Sequence, residues 1–407
     1  MHLKKEWVRL AGLFLGLRCI YSLVGAVAGV GIDPRQISDP MYHAVAAILH
    51  YDKFSQLFVN VWFRWDTGWF LKVAAFGYGA QDNSTAFMPL YPWLIRGVNC
   101  LLGKNYLLAA LVVSNAACLV CLILLYEIAC QEGLNKDAAL RTVMFLLLFP
   151  TSFYLFAGYS EALYLALLLG AWLLARRKIW LAAGVLAALA TLCRSQGIVM
   201  VVVLLWAFLS DCAGGDGKKP IEQIRQITAL VTTRTGRASL LTRLKKPDWL
   251  AILFPLLTLV GYNTWLQLSG MKSVTTAHAQ GWGRVMVMPW KGVQLLLERL
   301  VYGQHVSMDY IDLSMFVLAL GLSIYGLFRL NTALSLYNWL TLAIVLMVGS
   351  DQLLLLLSFS RIFLAFFPLF FLLGEIRSRP LRFAFWFVSF TLQIFLLFVF
   401  LNFGWVA

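Results

Sequence analysis

The chain has 407 residues, of which 61% are hydrophobic and 13% are charged. Soluble domains carry about 25% charged residues, so this composition excludes an ordinary soluble protein and indicates an all-α, polytopic membrane protein. The net charge of +14 fits the excess of Lys and Arg that membrane proteins place in short cytoplasmic segments, and we expect no nucleic-acid binding.

The N-terminal segment is basic and then apolar. Lys4, Lys5 and Arg9 stand before an apolar run over 10–30, which Arg18 interrupts. The bases predict a cytoplasmic N-terminus. The length of the run favours an uncleaved signal-anchor helix, with a cleaved signal peptide as the alternative.

Apolar runs along the chain predict about eleven membrane spans in a single domain, because each crossing needs about 20 apolar residues. The runs are 10–30, 106–130, 141–158, 160–174, 179–193, 197–210, 250–268, 312–328, 332–349, 353–376 and 383–403. The two short runs 179–193 and 197–210 predict a tight external hairpin with "RSQG" at its tip. No internal repeat is visible, which argues mildly against transporter folds built from two related halves.

Three hydrophilic segments separate these runs. We predict external segments at about 31–104 and 269–311 and a basic cytoplasmic loop at about 211–248. We interpret the cytoplasmic loop as a solvated connector, with a partner-binding site as the alternative. Within the first external segment, 41–58 and 66–77 predict amphipathic helices that are too short to span.

Charged and polar residues gather at the predicted external ends of the spans. They are Arg64 and Asp66 in "RWD", Ser160 and Glu161 in "GYSEALY", Arg194 in "RSQG", Gln280 and Arg284 in "AQGWGR", Asp351 in "GSDQ" and Arg361 in "SFSRIF". A charge at membrane depth costs at least about 2.5 to 3.5 kcal/mol, so each of these side chains needs a reason. Together they predict one polar cavity that opens outward. For any single arginine, snorkelling at a helix end is the simpler alternative.

The residue types in this cavity indicate its chemistry. Arginines bind phosphate through charge-assisted, bidentate hydrogen bonds, and a carboxylate can accept a proton from a hydroxyl group. The nearby aromatic residues either stack on sugar rings or form an interfacial belt. They are Trp62, Trp65, Trp69, Tyr78, Tyr91, Trp93, Trp282 and Trp290. Pro89 and Pro92 either shape the site or mark the entry to a helix.

Neither a metal nor a nucleotide cofactor is predicted. The sequence has no GxxxxGK[ST], no GxGxxG after a strand, no HExxH and no DxD motif. The seven cysteines lie mostly in apolar runs, and Cys118 and Cys121 form a lone CxxC, which is a weak metal signal.

Five motifs in order along the chain resemble the phosphatidylinositol-glycan class V mannosyltransferases. They are "RWDTGWFLKVAAFGYG" with "AFMPLYPWLIR", "LFPTSFYLFAGYSEALY", "RSQG", "AQGWGR" and "SRIFLAFFPLF". The chain departs mildly from the family pattern at Met88 and Ile362, where aromatic residues are common. The resemblance implies a GT-C glycosyltransferase bundle with a catalytic acid in the first external loop. It also implies a polyprenyl (dolichyl-type) phosphate mannose donor, inversion at the sugar, and no cofactor.

Carried onto this chain, the resemblance makes Asp66 the candidate general base. Arg194, Arg284 and Arg361 become candidates for the donor phosphate. The supporting candidates are Arg64, Trp65, Glu161, Gln280, Trp282 and His278. Arg64 would orient Asp66 or depress its pKa, and His278 is otherwise an interfacial polar residue.

The expected partners are the lipid-linked donor, a lipid or glycan acceptor and membrane lipids. The expected location is the plasma membrane of a prokaryote or the endoplasmic reticulum of a eukaryote. A lipid or sugar-lipid transporter with the same external cavity is the alternative function, and a non-catalytic subunit of a membrane complex is a third.

Overall fold

The structure, a computed structural model, describes residues 2–31, 39–214, 220–303, 307–350 and 358–406. Within these ranges the chain forms nineteen α-helices and one two-stranded sheet. The helices are α1 (His2–Val30), α2 (Pro40–Val45), α3 (Asp66–Phe76), α4 (Leu90–Asn99), α5 (Tyr106–Gln131), α6 (Lys136–Leu147), α7 (Glu161–Arg176), α8 (Trp180–Cys193), α9 (Val199–Cys212), α10 (Pro220–Thr232), α11 (Arg234–Leu244), α12 (Phe254–Leu268), α13 (Val274–Trp282), α14 (Pro289–Val301), α15 (Ser307–Arg329), α16 (Thr332–Leu346), α17 (Phe359–Ile362), α18 (Phe367–Gly374) and α19 (Arg379–Leu401). The strands are β1 (Arg284–Met286) and β2 (Val348–Ser350).

Six helical segments among the described residues are long and apolar enough to cross a membrane. They are Lys5–Val30, Tyr106–Gln131, Ser195–Cys212, Pro247–Leu268, Met308–Arg329 and Arg379–Leu401. Two shorter apolar helices, α8 and α16, lie beside them. The predicted all-α, polytopic membrane class is confirmed, whereas the count of about eleven spans is not. Which helix ends face outward stays a prediction.

Polar caps set where several helices begin. The side chains of Asn105, Asn135, Asn331 and Ser378 each accept a hydrogen bond from the backbone N–H three residues further on, over 2.9 to 3.4 Å. These bonds satisfy N–H groups that the first helical turn leaves unpaired. The caps therefore fix the starts of α5, α6, α16 and α19.

The centre of the bundle brings together distant parts of the chain. Helix α7 packs against both α5 and α8, and α6 packs against α18. The guanidinium of Arg141 donates to the Gly374 carbonyl over 2.8 Å, and the ring of Phe149 stacks on Phe363 with 4.5 Å between centroids. Helices α7 and α8 are antiparallel neighbours, so the first residue of α7, Glu161, lies beside the "RSQG" turn that follows the end of α8.

The first hydrophilic segment is helical only in part. Helix α3 confirms the prediction over 66–77, but the helix predicted over 41–58 is wrong, because α2 ends at Val45. Asp52 starts a separate turn: its carboxylate accepts from the Ser55 hydroxyl at 2.6 Å and from the Ser55 N–H at 2.9 Å. A side chain that caps a new turn competes with continuation of the preceding helix.

The other two hydrophilic segments contain more regular structure than predicted. The basic loop holds α10 and α11, and the second of the two segments predicted to be external holds α13, β1 and α14. Strand β1 pairs antiparallel with β2, so that Arg284 lies opposite Ser350. Pro89 and Pro92 stand at the start of α4, where helical N–H groups have no partner, and so they mark the helix entry.

Candidate active site

One arginine joins two carboxylates at the centre of the site. Asp66 is the first residue of α3, and Glu161 is the first residue of α7, where the helix dipole favours negative charge. Nη1 of Arg361 donates to Oδ2 of Asp66 over 2.7 Å, and its Nε donates to Oε1 of Glu161. Arg361 therefore fixes the positions of both carboxylates.

Aromatic faces hold Arg361 in this bridging position. The guanidinium carbon lies 5.0 Å from the ring centre of Tyr154 and 4.6 Å from that of Tyr159, within the range of cation–π attraction. The Tyr159 hydroxyl in turn donates to the Arg64 carbonyl over 3.1 Å. Sequence reasoning missed both tyrosines, although both lie in the "FYLFAGYSE" motif.

The short helix α17 that carries Arg361 is anchored from two sides. Oδ1 of Asp312 accepts from the Ser360 N–H over 2.7 Å, and the Thr151 hydroxyl donates to the Ser360 carbonyl over 2.7 Å. Ser358, just before the helix, adopts a left-handed conformation with φ of 66°. These contacts orient the "SRIF" segment so that its arginine faces inward.

Arg194 approaches the same cluster from the end of α8. Its Nη1 donates to Oε1 of Glu161, so that this carboxylate holds two arginines. Steric crowding explains why the last residue of "RSQG" is glycine: a Cβ at Gly197 would lie 2.6 Å from the Thr191 nitrogen. The tight turn after α8 therefore requires glycine, and it sets the direction in which Arg194 leaves the helix.

A strained turn precedes Asp66. Trp65 has φ of 48°, a conformation that costs a non-glycine residue about 1 to 3 kcal/mol. The ring of Trp65 packs edge-on against Trp405, with 5.2 Å between centroids. At Gly68 a Cβ would lie 2.3 Å from Cγ of Met41, so α2 and α3 can approach only because this position is glycine.

A cavity of about 110 Å³ lies beside the cluster. The predicted site residues that line it are Asp66, Arg194, His278, Trp282, Arg284 and Arg361. These residues come from four of the six parts of the chain from which the sequence predicted a cavity. Ser195, Gln196 and Ser358 also line the cavity and were not singled out from the sequence.

Arg284 is the cavity arginine that no acid neutralises within the described ranges. It begins β1, is half-buried, and forms no ion pair with any residue that the structure describes. Burial lowers the pKa of Arg284, while the charge of Asp66 acts in the opposite direction. An arginine remains protonated under these conditions, so Arg284 offers positive charge to a ligand.

His278 is neutral at physiological pH. Burial and then Arg284 lower its pKa to about 4, although Asp66 opposes this. Its Nδ1 is buried and has no hydrogen-bond partner among the described residues. The ring lies 5.9 Å from that of Trp282, which also contacts Trp69 at 5.7 Å and Phe87 at 5.5 Å.

The remaining supporting candidates lie outside the cavity. Arg64 is 1% exposed, donates to the carbonyls of Phe400 and Leu401, and stacks on Phe403, so the predicted contact between Arg64 and Asp66 does not form. Gln280 is exposed and does not line the cavity.

Glu161 and Trp65 also stand apart from the cavity wall. Glu161 lies behind the arginines and lines a separate space of about 20 Å³, whereas Trp65 packs on Trp405. Of the eight aromatic residues proposed for sugar stacking, Trp282 alone lines the cavity within the described part of the chain. Asp351 lies outside the described residues. In those that are described, no group of three His, Cys, Asp or Glu side chains is placed to hold a metal, and Cys118 and Cys121 are buried thiols.

The fold and this cluster define a polytopic helical membrane protein with a polar, cation-rich cavity. Residues 21–212 match the model of the family described as mannosyltransferase (PIG-V). The resemblance inferred from the motifs is thereby confirmed over residues 21–212, a range that covers less than half of the chain. Arg284 and Arg361 lie beyond the matched range.

Curated relatives agree with the family match. GPI alpha-1,6-mannosyltransferase 2 of Cricetulus griseus is 34% identical over 161 residues, which make up 37% of this chain and 32% of that protein. The protein of the same name from Rattus norvegicus is 32% identical over 161 residues, with the same coverage. The matched segment therefore spans about a third of the length of these relatives.

Two solved structures resemble the whole chain at low identity. One is the Archaeoglobus fulgidus oligosaccharyltransferase tethered with an acceptor peptide, with a TM-score of 0.42 and 11% identity over 95% of this chain and 55% of that one. The other is the archaeal oligosaccharyltransferase AglB in complex with an inhibitory peptide and a dolichol-phosphate, with a TM-score of 0.40 and 13% identity over 96% of this chain and 55% of that one.

Proposed function

We propose that this protein is a membrane mannosyltransferase of the GT-C type. It transfers mannose, with inversion, from a polyprenyl-phosphate-linked donor to a hydroxyl group of a lipid or glycan acceptor on the external or lumenal face. One observation carries the proposal: a partly exposed carboxylate and three arginines from separate elements line one cavity. The family match over residues 21–212 supports mannose as the sugar. The corresponding location is the plasma membrane of a prokaryote or the endoplasmic reticulum of a eukaryote.

Asp66 is the carboxylate suited to act as the general base. Its side chain is 23% exposed and lines the cavity, whereas that of Glu161 is 7% exposed and lies behind two arginines. A base must come within hydrogen-bond reach of the proton that it removes. The accessible carboxylate meets this condition, and the buried one serves to hold the arginines.

The three arginines divide into two roles. Arg361 gives its Nε and Nη1 to carboxylates, so it positions Asp66 rather than binding the donor first. Arg284, which has no acid partner among the described residues, is the leading candidate for the donor phosphate. Arg194 uses one Nη on Glu161 and has further donors that can reach the cavity that it lines.

Trp282 and His278 form a part of the cavity wall that is suited to contact a sugar. The indole face of Trp282 can stack on a pyranose ring, and a neutral imidazole can accept or donate a hydrogen bond to a hydroxyl group. Both residues belong to α13, so one short helix would place them together over the bound mannose.

The transfer follows directly from this arrangement. The acceptor oxygen attacks the anomeric carbon while Asp66 takes the hydroxyl proton, and the bond between that carbon and the phosphate oxygen breaks. The electron pair leaves with the lipid phosphate, whose growing negative charge is stabilised by Arg284 and Arg194. A single displacement of this kind inverts the anomeric configuration.

The test is transfer of labelled mannose from polyprenyl-phosphate-mannose in membranes that contain wild type or Asp66→Asn. Loss of a general base lowers the rate by about 10²- to 10⁴-fold, and Asn keeps an oxygen for Arg361. Gln280→Ala is the matched control because Gln280 is exposed and lies outside the cavity. Full activity in folded Asp66→Asn shows that the base assignment is wrong. If the wild type consumes no donor but moves lipid-linked sugar across liposomes, the protein is a transporter.

A further inference from the structure

An arginine in the first helix, Arg18, lines a groove that is distinct from the cavity at Asp66. Arg18 occupies the middle of the Lys5–Val30 candidate span, where a charge is costly and therefore marks a functional site by default. Its guanidinium does not extend to the helix end. Instead, it lies 4.9 Å from the ring centre of Trp62, and Nη1 donates to the Phe156 carbonyl over 3.4 Å.

The hydrogen-bonding capacity of Arg18 is largely unused. A guanidinium has five N–H donors, and the one bond that it makes with described residues is long. None of those residues forms an ion pair with it. The Phe156 carbonyl also accepts from Nδ2 of Asn115 over 3.0 Å, while Oδ1 of Asn115 is buried without a partner. Arg18 therefore has N–H donors that an anionic ligand could use.

Arg18 faces a groove of about 360 Å³ between α1, α5 and the turn at Ser55–Val59. Apolar side chains form most of its wall, and Arg18, Ser22 and Asn115 are its polar members. Phe54 and Val112 on its rim are 64% and 41% exposed, so the groove is open along the outside of the bundle. An apolar channel with one half-buried cation matches a molecule that is apolar along its length and anionic at one end.

We propose that this groove binds a membrane lipid whose phosphate headgroup pairs with Arg18 and whose acyl chain lies against the apolar wall. A guanidinium binds phosphate through paired, charge-assisted hydrogen bonds, and a single cation in an apolar setting favours an anionic lipid over a neutral one. Free phosphate is a poor match for the whole groove, because it would contact Arg18 and leave the apolar wall uncovered. The site is separate from the cavity at Asp66 and does not depend on the proposed enzymatic function.

The test measures lipid binding to purified, delipidated protein by native mass spectrometry and by the shift of its thermal midpoint. The probes are dioleoyl phosphatidylglycerol, dioleoylglycerol, which lacks the phosphate, and inorganic phosphate. We expect the phosphatidylglycerol alone to be retained and to raise the midpoint. Arg18→Leu should weaken its binding by at least about tenfold, the loss of one charge-assisted contact.

Two further variants make the outcome decisive. Arg9→Leu is the matched control, because Arg9 lies on the same helix, is 54% exposed and pairs with Glu6 outside the groove. Val112→Trp fills the groove while Arg18 stays in place, and it should reduce binding even if Arg18→Leu fails to fold. Equal retention of phosphatidylglycerol by wild type and Val112→Trp overturns the proposal. Equal binding of dioleoylglycerol, or a comparable shift from inorganic phosphate alone, also overturns it.

Discussion

Replacing Arg361 by lysine separates a positioning role from a phosphate-binding role. The guanidinium of Arg361 reaches Asp66 through Nη1 and Glu161 through Nε, two atoms held apart by a planar group. A lysine has one ammonium on a flexible stem and cannot keep both contacts in this geometry. The charge is preserved in Arg361→Lys, so any loss of activity reports geometry rather than net charge.

The size of the effect follows from the contact that is lost. A hydrogen bond to a charged group contributes about 1.5 to 3 kcal/mol. Glu161 is the more deeply buried carboxylate, 7% exposed against 23% for Asp66, and leaving it without its cation costs more, so we expect the single ammonium to stay with Glu161 and the contact with Asp66 to be lost. If this energy is expressed in the transition state, kcat falls by about 10- to 150-fold.

The assay is initial-rate mannose transfer at varied concentrations of polyprenyl-phosphate-mannose. A positioning role predicts that Arg361→Lys lowers kcat and leaves the donor KM within about twofold, because interactions made only in the transition state affect kcat. Arg284→Lys provides the contrast, since loss of bidentate phosphate binding raises the donor KM. A raised donor KM and unchanged kcat in Arg361→Lys would refute the positioning role.

Two other predictions test the surroundings of the site. The pKa of His278 is lowered to about 4, so the folded protein binds fewer protons than the unfolded chain between about pH 6.5 and 4, and stability falls as pH drops through this window. His278→Gln should therefore lose less of its thermal midpoint than wild type between pH 7 and 4, and an equal loss contradicts the burial of a neutral imidazole. Gly197→Ala forces a Cβ to within 2.6 Å of the Thr191 nitrogen, which should cost about 1 to 3 kcal/mol and reduce mannose transfer. Gly261→Ala is its control, because nothing lies within 4 Å of a Cβ there, and equal midpoints for the two variants would show that the turn tolerates a side chain.

The sequence was informative about which residues form the site because charges are rare in this chain. Each charged residue in an apolar setting has to be paired, exposed or functional, and this rule selects Arg64 and Glu161, which do not line the cavity, as well as four residues that do. The four that line the cavity are Asp66, Arg194, Arg284 and Arg361. The helix over 66–77 could also be predicted, because the pattern of apolar and aromatic residues that indicates it lies within the segment itself.

Pairing within the site was beyond sequence reasoning. Arg64 stands two residues from Asp66, yet the turn at Trp65 sends it to the carbonyls at the end of α19. The actual partner of Asp66 is 295 residues away, and the contact depends on how α3, α7 and α17 pack. The break in the helix predicted over 41–58 was similarly hidden, because α2 ends at Val45 and the turn capped by Asp52 follows it within an apolar pattern that looks continuous.

Charge balance gives a reason for the second carboxylate. Among the described residues the charged groups of the site are Asp66, Glu161, Arg194, Arg284 and Arg361, and the net charge of this set is +1 because His278 is neutral. The phosphodiester of the proposed donor carries one negative charge, so the loaded site is neutral. When transfer protonates Asp66, the site rises to +2 as the departing lipid phosphate reaches two negative charges, and neutrality is kept. Without Glu161 the resting site would already be at +2 and would match the product phosphate rather than the donor, which favours product inhibition over turnover.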